Sequence, residues 1–211
     1  MTALFLLGVF PLTVAAAVCL APENRASRIQ AITLGLGAGI IVCLCRWLFV
    51  FPLPEIPADF VKVFLPLFFS VSLLPVVFLF ALAYLLFSGD PGEKSLSGFL
   101  LLSSYYAVMV PYRILSAPVP AAYFESLLAP LMYALMTADA AFLFLFALRS
   151  RTPLAVIPAL IAALALPPAA EALRYTGEQA YAPVTGVFLG LSLVFGAACL
   201  SKSRSKKAPS P

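Results

Sequence analysis

No histidine occurs anywhere in this sequence, and only 10% of its residues are charged. The first absence removes imidazole acid–base catalysis, Ser-His and Cys-His nucleophile pairs, and histidine ligation of metals. The second removes the solvated surface of a soluble domain, in which about a quarter of residues are charged. Cysteine is scarce as well: Cys19, Cys43, Cys45 and Cys199 all lie inside apolar runs, with no CxxC pair. They read as small buried hydrophobes rather than metal ligands or a disulfide framework. GxxxxGK[ST] spacing, HExxH and a pair of intramembrane aspartates are missing too, which leaves no motif for nucleotide-driven pumping or intramembrane proteolysis. The expectation is therefore no cofactor, no metal and no enzyme. The one enzymatic alternative retained is chemistry on a lipid-linked substrate.

What is present is hydrophobicity, 63% of 211 residues, with a mean hydropathy of +1.06. A spanning helix takes about 20 predominantly apolar residues. Seven apolar runs can be read, at about 3–20, 31–53, 63–87, 99–120, 126–148, 154–174 and 184–200. The expected fold is all-α: a polytopic membrane helix bundle of about seven transmembrane helices. Six is the alternative count, because Pro111, Arg113 and Pro118 interrupt the fourth run. The first run lacks a basic leader, and Cys19 follows Ala-Ala-Val rather than a lipobox, so it is read as a helix and not a signal. Residues 1–201 form one transmembrane domain, and 202–211 a basic, disordered cytoplasmic tail.

Orientation follows from Lys and Arg. With the N-terminus outside and the C-terminus cytoplasmic, nine of thirteen positives fall on inner segments, among them Arg25, Arg28, Lys94, Arg149, Arg151 and Lys202. That is the positive-inside bias, and it accounts for the net charge of +4 without any nucleic-acid partner. The expected partners are the lipid bilayer and either partner membrane subunits or a second copy of the chain. The expected location is a bacterial cytoplasmic (inner) membrane.

The remaining positives, Arg46, Lys62, Arg113 and Arg174, fall toward the outer side with Glu171 and several tyrosines. Gly35, Gly39, Cys43 and Arg46 recur at helical spacing, so the face that small residues turn toward a neighbouring helix brings Arg46 with it. Arg113 shares a helix face with Ser103, Tyr106 and Val110, and Tyr112 lies on the adjacent strip. Arginine offers a rigid bidentate fork to phosphate or carboxylate. Arg46, Arg113, Glu171, Arg174, Tyr106 and Tyr112 are therefore the expected substrate-binding set of an outward-facing pocket for a small anionic or lipid-like solute.

Within LALPPAAEALRY (164–175), Pro167-Pro168 is expected to kink or interrupt the sixth helix. Glu171 and Arg174 can then pair at i,i+3. Asp139 falls near mid-membrane, where an ionisable group is a functional hypothesis by default. It is assigned to ion or proton coupling, against a hydrogen-bonded interhelical strut or a partner of Arg46 or Arg113. Gly186, Gly190 and Ala197 give the last helix a small-residue face, read as tight packing within the chain before dimerisation. SGDPGEKSLSG (88–98) reads as a turn-rich connector, and Pro66, Pro75, Pro130 and Pro158 as bends. Binding or transport is the leading function, with a non-catalytic assembly or accessory subunit as the alternative.

Overall fold

A computed structural model describes residues 25–49, 59–116, 128–150, 153–177 and 179–205. The expected first span, 3–20, lies outside them. The described residues form six helical rods, without strands among them. They are α1 (Arg25–Phe49), α2 (Phe60–Leu86), α3 (Pro91–Ser116), α4 (Ala129–Arg149), α5 (Ile157–Tyr175) and α6 (Tyr181–Ser205). Four are long and apolar enough to cross a membrane: Ala26–Leu48, Phe60–Leu86, Ala129–Arg149 and Ile157–Tyr175. In α6 the apolar stretch is shorter, Tyr181–Ala197. The helix then continues through Lys202 to Ser205, so it enters the segment expected to be a disordered tail.

Expected at 99–120, α3 instead begins at Pro91. The supposed connector 88–98 supplies its start: the Asp90 Oδ1 accepts from the Glu93 amide at 2.9 Å, and Pro91 needs no amide partner in the first turn. Gly89, at φ +141°, is the left-handed residue that lets the chain turn in. α3 is not among the four apolar spans, and its position explains why. It packs against α1, α2 and α4, and Leu100, Leu101, Leu102, Tyr106 and Met109 are fully buried. A helix enclosed by other helices meets little lipid, so its serines and tyrosines face protein.

Helix directions follow from paired contacts. An ideal Cβ on Gly35 would stand 2.3 Å from the Leu101 carbonyl oxygen, and one on Gly39 would stand 3.0 Å from that of Tyr105. The Cys43 Sγ lies 3.4 Å from the Met109 Sδ. The constant offset of 66 residues makes α1 and α3 parallel. Asp139 pairs with Ser192 and Phe142 with Phe195, a constant offset of 53, so α4 and α6 are also parallel. Between α3 and α4 the order reverses: Ser95 bonds the Ala141 carbonyl at one end, and Arg113 bonds Tyr133 at the other. The rods thus form two triplets, α1–α3 and α4–α6, of opposite direction. Each has its first and third helices in parallel contact.

The middle helix of each triplet carries interior prolines, and the two middle helices pack on each other. In α2, Pro66 and Pro75 flank a π turn at Phe68–Leu73, where the Leu74 amide bonds the carbonyl of Phe69. Pro75 has no amide for the Val71 carbonyl, and the Tyr106 hydroxyl donates to it instead, at 2.5 Å. In α5 the helix continues unbroken through Pro167 and Pro168, which corrects the expected interruption. The carbonyls of Ala163 and Leu164 receive no i+4 amide there, yet the turns on either side hold the helical path, and Pro167 and Pro168 are both buried.

Among the described residues nothing packs on the glycine face of α6. A Cβ on Gly186 or Gly190 meets nothing within 4 Å, because α6 applies Thr185, Phe188 and Ser192 to the bundle instead.

Candidate functional site

At one end of the bundle α3, α4 and α5 each contribute a polar side chain to a single cluster. The Arg113 Nη2 donates to the Glu171 Oε1 at 2.5 Å and the Arg113 Nη1 to the Tyr133 hydroxyl at 3.1 Å. Tyr133 in turn donates to the Glu171 Oε2 at 2.7 Å, and the Tyr175 hydroxyl, one turn beyond Glu171, donates to Oε1 at 3.1 Å. Both carboxylate oxygens are therefore engaged, and the charge of Arg113 is matched within the cluster. The side chains of Arg113 and Glu171 are only 12% and 7% exposed.

Packing extends the cluster to a fourth helix. Tyr133 and Tyr106 pack with ring planes tilted by 31° and centroids 5.4 Å apart, and Tyr106 reaches the freed Val71 carbonyl of α2. A guanidinium, a carboxylate and the tyrosine rings thus link α2, α3, α4 and α5 around one buried ion pair.

The structure brings Arg113, Glu171 and Tyr106 together and sets the other expected residues apart. Arg174 does not pair with Glu171, which corrects the i,i+3 expectation. Glu171 points into the bundle, whereas the Arg174 guanidinium lies over the Tyr181 ring at 5.7 Å. Arg46 is half-buried and donates to the Ser70 Oγ at 3.1 Å. Ser70 in turn donates to the Pro66 carbonyl at 2.6 Å, so Arg46 is tied to the proline-distorted part of α2. Tyr105, buried between the two arginines, lies within electrostatic range of both. Tyr112 packs half-buried against the core.

Asp139 pairs with neither arginine, which overturns that alternative. Its Oδ2 accepts from the Ser192 Oγ at 2.5 Å, a bond between α4 and α6 that fits the interhelical strut. The pair borders a cavity of about 240 Å³ whose other walls are apolar, Leu166, Phe188 and Phe195 among them. Among the described residues no group of three or more Cys, Asp or Glu side chains could hold a metal ion.

Sequence reasoning missed Tyr133 and Tyr175 as members of the cluster. For Tyr175 a signal did exist, since residues 171 and 175 share a helix face. For Tyr133 none existed, because its partners lie 20 and 38 residues away in sequence.

Chemically, the cluster is a closed clasp. An anion that displaced the Glu171 carboxylate would meet the guanidinium, and the tyrosine hydroxyls could donate equally well to its oxygens. Compared with known proteins, the chain matches no family model, no curated protein and no solved structure.

Proposed function

We propose that this chain is an integral membrane protein that binds or transports a small anionic solute, with Arg113 and Glu171 as the gate on its outer side. The single observation that carries the reading is the buried ion pair, held by Tyr133 and Tyr175 across three helices. A buried pair gains little stability over well-packed apolar residues of the same volume. An arginine inside a membrane bundle is costly and marks a functional position by default. A solute carboxylate or phosphate would take the place of the Glu171 carboxylate on Arg113, releasing α5 from α3. Arg46 and Arg174 would then add positive charge at the same end.

Two architectural features support transport. The triplets run in opposite directions, and helices with interior prolines occupy the same middle place in both, an arrangement compatible with a site at the interface between two inverted halves. Asp139, set against the cavity beside Ser192, is the proposed ion or proton coupling group. The proposal keeps seven spans, a single domain over 1–201, an outside N-terminus, a cytoplasmic basic tail and a bacterial cytoplasmic membrane. A second reading, an accessory subunit, draws on the open glycine face of α6: Gly186 and Gly190 offer a partner helix close approach.

The test uses protein purified into nanodiscs and a panel of phosphate, sulfate, acetate and short dicarboxylates, with thermal shift and calorimetry as readouts. Wild type is expected to bind at least one of them. Arg113→Gln should abolish that binding, whereas Glu171→Gln should strengthen it, because the competing carboxylate is gone. Absence of binding in both wild type and Glu171→Gln, or binding that survives Arg113→Gln, overturns the proposal.

A further inference from the structure

At the opposite end of the bundle from the clasp, an apolar groove of about 460 Å³ runs between α2 and the α4–α5 pair. Its floor is buried: Val76 is 2% exposed, Phe80 5% and Ala140 1%. Along its rim Val77, Leu85 and Ile157 stand open at 53%, 78% and 45%. The depth has a local cause. Gly98 on α3 has no Cβ, and one placed there would stand 2.4 Å from the Phe80 ring. Phe80 therefore sinks toward α3 and packs on Phe144, with ring centroids 4.7 Å apart, and the groove opens above it.

A cation stands at the groove mouth. The Lys94 Nζ lies 4.1 Å over the ring of Tyr84, a groove residue. Arg149 lies away from it, beside Gly92 and the Asp90 carboxylate, where Gly92 lines a separate groove between α3 and α4. Lys94 has no ion-pair partner among the described residues. The nearby carboxylates are otherwise placed: Asp90 caps the Glu93 amide, and the Glu93 side chain folds against Gly89.

We infer that this groove holds one acyl chain of an anionic phospholipid, whose phosphate is met by Lys94. Two features point to the occupant. From Val76 to Leu85 the groove follows α2 for about 14 Å at 1.5 Å per residue, close to the roughly 15 Å depth of one leaflet. The wall is apolar while the mouth holds Lys94, a cation with no ion-pair partner among the described residues, and these match the two ends of a lipid. The groove also lies between the two triplets, so its occupant would brace them against each other.

The experiment reconstitutes the protein in nanodiscs of equal phosphatidylglycerol and phosphatidylcholine with identical acyl chains, then counts retained lipids by native mass spectrometry. Wild type is expected to keep one phosphatidylglycerol in preference to phosphatidylcholine. Lys94→Gln should lower that preference about fivefold, the effect of one cation near an anionic headgroup, whereas Arg149→Gln, beside the separate α3–α4 groove, should leave it unchanged. Ala81→Trp fills the groove from its exposed rim, so it should fold normally by circular dichroism yet retain neither lipid. Equal retention of the two headgroups by wild type overturns the inference, as does undiminished retention by Ala81→Trp. Zero-length crosslinking of a second protein chain to Lys94 would also overturn it.

Discussion

Replacing Arg113 and Glu171 by glutamine, singly and together, asks whether the buried pair acts as a unit. With side chains 12% and 7% exposed, removing either charge leaves the other uncompensated in a low-dielectric site. The expected loss is about 3–5 kcal/mol for each single variant. For a chain of this size 1 kcal/mol moves the unfolding midpoint by about 2–4 °C, so each single variant should melt about 6–20 °C lower. The double variant leaves no orphan charge, and its two amides can bond each other and the tyrosine hydroxyls. Its loss should be only about 1–2 kcal/mol, giving a coupling energy of at least about 4 kcal/mol. Thermal unfolding in one detergent, checked by SDS titration, measures all three. Additive losses, with coupling under about 0.5 kcal/mol, would refute the reasoning and reduce the pair to a screened surface contact.

Three further outcomes follow from the packing. Gly35→Ala should destabilise by about 1–3 kcal/mol because its Cβ meets the Leu101 carbonyl and forces α1 away from α3. The matched control Gly37→Ala, with open space around it, should be neutral or slightly stabilising in the same melt. Tyr106→Phe removes the donor to Val71 and should cost about 1–3 kcal/mol for the orphaned carbonyl; a loss under about 0.5 kcal/mol would argue against the bond. A reporter fused after Pro211 should be active only on the cytoplasmic side, and activity outside would reverse the proposed orientation.

The sequence alone determined that this is an all-helical chain with helices apolar enough for a membrane, because run length and charge scarcity are local properties. It determined which face of α1 turns inward, since Gly35, Gly39 and Cys43 recur every four residues and only small residues permit such close approach. It also singled out Arg113, Glu171 and Asp139, because ionisable groups are conspicuous in apolar runs. Partnership belonged to the tertiary structure. Arg174 was the nearest charge to Glu171 along the chain, yet Arg113, 58 residues away, holds it. The reason is directional: residue 171 faces the bundle, where desolvation makes a full set of donors necessary, while residue 174 lies on another strip of the same helix. Ser192 as the partner of Asp139, the Tyr106 bond that repairs the Val71 carbonyl, and the open glycines of α6 likewise depend on which helices adjoin. Helical periodicity specifies a face, and only the packed bundle specifies what meets it.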